Sequence, residues 1–232
     1  MRVETASLVP LFLDLVDRRL AAEAREWYQR ATSSGAGAVE RALFLPSFTA
    51  TTRHVGEGLL GLRPEETARL QALGVDWPLE GWGLDDLGRV TLLLLAGERA
   101  PAAFPDLLDD CYRHGDIRER QAVLRALPLL AAGERFLAVG VDACRTSIQP
   151  VFEAIACENP YPAAHFPGLN FNQMVLKALF NGVALKRIVG LDRRVTAELT
   201  RMANDYASER RAAGRSVPSD IGLVTGGQRS AL

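Results

Sequence analysis

Along most of this chain apolar residues recur three or four positions apart, and nowhere do Val, Ile or Thr alternate with polar residues between tight turns. The first spacing puts side chains on one face of a helix, whereas a half-buried strand needs a period of two. The sequence therefore predicts an all-α fold. Leu8, Phe12, Leu15, Leu20, Ala24 and Trp27 mark one amphipathic helix over 6–31, closed by TSSGAG, and a short second helix is expected over 38–45. In RPEETARLQALG, Pro64 stands at a first helical position, acids fill the first turn and Gly74 marks the stop, which gives a helix of about three turns. After a loop at 75–83 the pattern predicts helix pairs: 84–97 with 103–114, 116–131 with 134–157, and 170–182 with 191–214.

Two of these helices resemble each other. QAVLRAL at 121–127 and QMVLKAL at 173–179 are identical at five of seven positions, and Arg125 stands opposite Lys177. The offset of 52 residues exceeds the ~40–47 of a HEAT-like repeat, and the loop at 158–169 supplies the excess. The self-match and the pairing together point to an α-solenoid-like, HEAT-like array of antiparallel helix pairs, each burying its apolar face on its neighbours. The expected organisation is a group of N-terminal helices over 1–75, continuous with a helical-repeat core over 84–215, and a flexible tail over 216–232. VTGGQRSAL, with adjacent glycines and no apolar periodicity, cannot offset its ordering entropy and is expected to be mobile from Gly226.

Composition narrows the function classes. A chain of 232 residues with 48% hydrophobic residues and a formal charge of −1 can bury a core in one large domain or two small ones. Asp14 and Asp17 interrupt the apolar run LVPLFLDLVDRRLAA, so it reads as an amphipathic helix and not as a secretory leader. VTLLLLA at 90–96 is far short of the ~20 residues of a spanning helix, so no membrane span is expected. Three cysteines (Cys111, Cys144, Cys157) without paired spacing argue against a disulfide framework and for the cytoplasm. Lys186–Arg215 holds eight basic and four acidic residues but lacks interleaved aromatics, so nucleic acid is not an expected partner. There is no G-x-S-x-G, H-E-x-x-H, C-x-x-C or P-loop, and GAGAVE at 35–40 lacks a third glycine and a preceding strand. Cys111 and His114 have metal spacing beside Asp110 and Asp116, yet no second cluster accompanies them, so neither a metal nor a cofactor is expected. His54 has no evident partner.

The most distinctive stretch is ENPYPAAHFPGLNFNQMVLKALF, 158–180. Its prolines hold Asn159 and Tyr161 extended, HFPGLN turns the chain, and Asn170 is placed to cap the next helix. On that helix Phe171, Met174, Val175, Ala178 and Leu179 form one apolar stripe and Leu176 and Phe180 another. Asn172, Gln173 and Lys177 are left as a narrow polar strip. Of the 27 basic residues only Lys177 and Lys186 are lysine, and a lysine's compact charge is not replaced by arginine's flat fork. Two readings stand side by side. In one, the stretch is a stiff corner with Tyr161 and Phe166 plugged into the core. In the other, Asn159, Tyr161, His165, Asn172, Gln173 and Lys177 meet Asp205, Tyr206, Glu209 and Arg210 of the last helix in a binding pocket. A partly buried Lys177 ammonium would then need an anionic partner, with Asp205 and Glu209 as the candidates.

At these residues, and in ELTRMANDYASERRAAGRSVPSDI further on, the sequence resembles the EboA family, bacterial proteins encoded with other members of the ebo cluster. The specific likeness runs from about Arg145 to Ile221, and ALPLL at 126–130 also fits. The resemblance implies a cytoplasmic helical protein of metabolite traffic, linked to moving secondary-metabolite precursors towards the periplasm. It implies partners among the other cluster proteins, including a UbiA-like membrane prenyltransferase, and transfers no catalytic residues. Two classes follow: a non-enzymatic carrier or adaptor for a small metabolite or a partner protein, and an enzyme acting on that metabolite with Lys177 or His165 as base beside Asp205 and Glu209. The missing motifs favour the first.

Overall fold

The computed structural model describes residues 5–33 and 41–226. It is all-helical, with fourteen α-helices and no strand among the described residues; Leu59 and Gly83 form an isolated bridge. The chain divides into two compact units, Met1–Val139 and Gly140–Leu232.

The first unit contains α1 (Thr5–Asp17), α2 (Ala22–Ser33), α3 (Arg41–Val55), α4 (Pro64–Ala72), α5 (Leu84–Arg99), α6 (Phe104–His114) and α7 (Ile117–Ala126), which runs into 3-10 turns at Leu127–Leu129 and Gly133–Phe136. The unit boundary lies within α8 (Leu137–Ala143). The single helix expected over 6–31 is two. Where the apolar stripe of α1 should continue, the chain has Arg19, whose guanidinium turns to Leu15 O, Leu60 O and Glu66. Arg25 then donates to the carbonyls of Asp17 and Leu20 at the end of the helix. The helix expected over 38–45 is the longer α3. The TSSGAG stop and GAGAVE fall largely or wholly in 34–40, outside the described residues.

Helix α5 is the centre of this unit. LDDLGRVTLLLLAGER is apolar on nearly every side, and Leu84 through Leu94 are all buried between α1, α2, α3, α6 and α7. Gly88 permits the approach, since a Cβ there would lie 3.1 Å from Thr51 and 3.5 Å from Tyr28. Buried with the apolar residues are Asp85 and Arg89, 0% and 1% exposed at their side chains. Arg118 forks onto Asp85 at 2.8 and 2.6 Å, Thr52 donates to it at 2.8 Å, and Arg89 donates to it at 3.1 Å and to Phe48 O at 3.0 Å. Burial alone would raise the Asp85 pKa; the hydrogen bonds and the two guanidiniums outweigh it and hold the carboxyl below its ordinary value.

At the edge of the same unit, Glu66 is 2% exposed and accepts from Arg19 Nη2 at 2.6 Å, from the Arg63 backbone N–H at 2.9 Å and from Arg63 Nη2 at 3.0 Å. Those bonds, the one from Arg19 foremost, bring its pKa down from 4.5 to about 2. A depressed carboxylate contributes stability that is complete above the unfolded value and is lost as pH falls through the folded one. Between about pH 5 and pH 2 the chain is therefore expected to lose on the order of 3 kcal/mol from this group. Glu66→Gln should be less stable at pH 6 and flatter across that window in denaturant titrations; a parallel acid slope in the two proteins would refute the assignment.

The second unit holds α9 (Gln149–Ala156), α10 (Tyr161–His165), α11 (Gly168–Asn181), α12 (Leu191–Arg194), α13 (Ala197–Ala212) and α14 (Gly222–Thr225), with 3-10 turns at Leu185–Arg187 and Ser219–Ile221. Two long expected helices are divided here. The one over 134–157 is interrupted after α8 because Pro150 fits the first turn of a helix and not its interior. The one over 191–214 is divided at Val195, where Thr196 caps α13 by accepting from Leu199 N at 3.2 Å. Helix α11 starts at Gly168 after Pro167, so Asn170 lies inside the first turn and is not its cap. In the segment expected to be a flexible tail, 219–225 is helical: Val224 is fully buried and its carbonyl accepts from Thr200 at 2.7 Å. Residues 227–232, on which the expected mobility rests, lie outside the described residues.

Candidate functional site

Helix α11 organises the second unit. It buries Phe171, Asn172, Met174, Val175, Ala178 and Leu179 against α9, α13 and the Leu185–Arg187 turn. The second apolar face is not buried as its pattern predicts: Leu176 is half-buried and Phe180 is 74% exposed. Together they form one wall of an open cleft of about 550 Å³, lined also by Arg145, Thr146, Ser147, Lys177, Asn181 and Tyr206. Tyr206 reaches it from α13, with its hydroxyl donating to Leu179 O at 3.2 Å.

Lys177 lies half-buried in this cleft, and its partner is not the expected carboxylate. Its ammonium donates to Cys144 O at 2.6 Å and Thr146 O at 2.5 Å and lies 5.0 Å from the centre of the Phe152 ring. The break after α8 leaves those carbonyls without helical partners, and a cation there is the natural donor. Asp205 is exposed and paired with Arg201 at 2.7 Å, and Glu209 is exposed on the same helix. Steps of four along α13 carry both carboxylates to solvent while Leu199, Ala203 and Ala207 take the buried face.

The remaining expected residues do not converge on one pocket. Asn159 is buried in the corner itself, donating to Ala154 O at 2.9 Å and accepting from Tyr161 N at 3.0 Å. Tyr161 is not extended as expected but opens α10, where Pro162 fits the first turn; it is fully buried, its ring 4.6 Å from that of His165 and edge-on to Phe166 at 6.2 Å. Asn172 is buried and approaches Met202 Sδ at 3.9 Å, whereas Gln173 faces solvent. Arg210 closes the C-terminal end of α13, donating to Ser216 O at 2.9 Å with its guanidinium 5.9 Å from the Tyr206 ring. Only Lys177 and Tyr206 of the ten line the cleft.

Several ordering residues carried no sequence signal. Arg194 donates to Ala163 O at 2.6 Å and Phe166 O at 2.7 Å, closing α10, while lying 4.5 Å from the Phe171 ring centre. Arg187 forks onto Glu158 at 2.8 and 2.9 Å and reaches Glu153. That clamp holds Glu158 at φ +48°, a left-handed conformation costly for a residue with a side chain. Arg145 and Phe180 of the cleft were also missed, because on a helical wheel an exposed cation and a second apolar face look like solvent and core.

Burial pushes each of Cys111, Cys144 and Cys157 up to about 12, and at Cys144 the nearby Lys177 charge does not reverse it. Cys111 is buried while His114 is exposed, and among the described residues no cluster of three His, Cys, Asp or Glu could hold a metal ion. His54 stacks on Trp27 with ring centres 4.2 Å apart. Among the described residues no helix is long and apolar enough to cross a membrane.

No curated protein and no solved structure matches the chain. A family model described as "Metabolite traffic protein EboA" matches residues 8–225. With nearly its whole length covered by that model, the chain belongs to the EboA family.

Proposed function

We propose that this chain is a non-enzymatic carrier or adaptor in the traffic of a secondary-metabolite precursor, holding a small metabolite in the cleft beside α11. The observation that carries the proposal is the cleft's lining. Leu176, Phe180 and Tyr206 offer an apolar and aromatic wall, Lys177 and Arg145 supply charge, and the lining side chains include no carboxylate, imidazole or thiol. Such a surface binds and orients; a proton-transfer reaction needs a positioned acid and base, whereas Asp205 and Glu209 face solvent and the Lys177 ammonium and Tyr206 hydroxyl are engaged with main-chain carbonyls. A phenylalanine left 74% exposed is the kind of surface a ligand or partner covers.

The cytoplasmic setting, the traffic towards other proteins of the ebo cluster and delivery to a membrane prenyltransferase belong to the same proposal. So does the α-solenoid, HEAT-like reading. It is supported by consecutive packed helices within each unit, α5 with α6 and α7 in the first and α11 with α9 and α13 in the second.

The test is retention. Purified chain is incubated with a small-molecule extract of cells that carry the cluster, separated from free solutes and examined by mass spectrometry. One compound retained unchanged, and not retained by Phe180→Asp, is expected; the site is exposed, so the variant should fold. Conversion of the retained compound would favour the enzyme reading, and no retention would refute the carrier.

A further inference from the structure

We infer that the cleft takes an organic anion with an apolar, aromatic or aliphatic body, its carboxylate or phosphate seated at Lys177 and Arg145. The inference rests on the carrier reading for its location and adds the ligand's chemical class.

The argument is an internal comparison. In the matching segments 121–127 and 173–179, Ala122 and Met174, Val123 and Val175, Ala126 and Ala178, and Leu127 and Leu179 are buried alike. Arg125 and Lys177 are half-buried alike. Each cation lies by an aromatic ring, Arg125 at 6.0 Å from Trp82 and Lys177 at 5.0 Å from Phe152, and each donates to backbone carbonyls, Arg125 to Gly81 O and Lys177 to Cys144 O and Thr146 O. The likeness ends at the counter-charge. Arg125 is ion-paired with the buried carboxylate of Asp86, whereas among the described residues no carboxylate pairs with Lys177. The adjacent position differs in the same sense: Leu124 is fully buried, while Leu176 opens onto the cleft.

One unit thus supplies both the anion and the apolar cover that the other leaves open. An ammonium has three N–H donors, and two of those on Lys177 are committed to carbonyls. Arg145, exposed on the same lining, adds a second positive charge without a carboxylate partner among the described residues. A half-buried cation without a counter-charge gains most from an anion delivered with its own apolar body. The charge fixes the head and the wall of Leu176, Phe180 and Tyr206 takes the rest.

The two lysines make the test direct, since Lys186 is exposed and serves as an internal control. The full chain, labelled in its lysine side chains, is titrated by NMR with 1-naphthoate, 1-naphthyl phosphate and the neutral 1-naphthol. The anions are expected to shift Lys177 and not Lys186, and at least one of them should bind on the order of tenfold more tightly than the naphthol. Ser147→Asp, which places a carboxylate in the cleft, should weaken the anions by a similar factor and leave the naphthol within about twofold, and Arg145→Ala should weaken the anions alone. Equal binding of all three compounds with Lys177 shifted would overturn the anion class and leave the carrier standing. If no compound moves Lys177, both readings fall.

Discussion

Asp85→Ala is expected to cost the first unit about 3–5 kcal/mol, enough to unfold much of it under mild denaturant. The carboxylate sits among two guanidiniums and the Thr52 hydroxyl with none of its side chain exposed. Removing it strands Arg89, 1% exposed, with only the Phe48 and Thr49 carbonyls as acceptors. An uncompensated buried charge costs far more than a well-packed apolar replacement, so Asp85→Leu combined with Arg89→Met should recover much of the loss. Equilibrium denaturation of the full chain, followed by circular dichroism, measures both. If the single substitution costs less than about 1 kcal/mol, or the double variant is no better than the single, the network is not what orders α5. The neighbouring Gly83 gives a second view, because a Cβ there would come within 2.5 Å of Asp85 Oδ1.

That network shows where sequence reading stops. The helix over 84–97 was legible from its apolar spacing and α5 occupies it, yet spacing alone does not say how deeply Asp85, Asp86 and Arg89 lie. Only the packing of neighbours on every side of α5 reveals that they are interior, with their charges paired within hydrogen-bonding distance. Helix class was legible throughout because it depends on local spacing. Helix ends were less so: Pro150 and Thr196 are the local signals that shorten 134–157 and 191–214, and a continuous apolar stripe masks them.

The site was legible in part for a related reason. Lys177 stood out by its rarity, and Tyr206 was among the residues of the last helix expected to meet it; both line the cleft. Asp205 and Glu209 lie one turn apart on α13, but spacing along a helix does not fix which face its neighbour takes. What satisfies Lys177 instead is a pair of main-chain carbonyls exposed by the break after α8. Backbone acceptors leave no mark in a sequence, so no reading of side-chain types could have named them.

Tyr161→Ala should be nearly as damaging to the second unit, and it separates the two readings of the proline-aromatic corner. The tyrosine ring is fully buried, packed at 4.6 Å on His165 and edge-on to Phe166. Gly140 leaves room for this plug, since a Cβ there would come within 3.0 Å of both the Tyr161 and the Phe166 rings. Deleting a buried aromatic ring forfeits its transfer energy and leaves a cavity, typically about 3–5 kcal/mol. Tyr161→Phe keeps the ring and should lose no more than about 1.5 kcal/mol. Neither Tyr161 nor any other residue of 158–170 lines the cleft, so Tyr161→Phe should bind the naphthyl anions as the unsubstituted chain does. A corner that only positions α11 predicts this pairing of large structural loss in one variant and intact binding in the other. If Tyr161→Phe instead remains folded and loses the anions, the proline-aromatic stretch is itself part of the binding site.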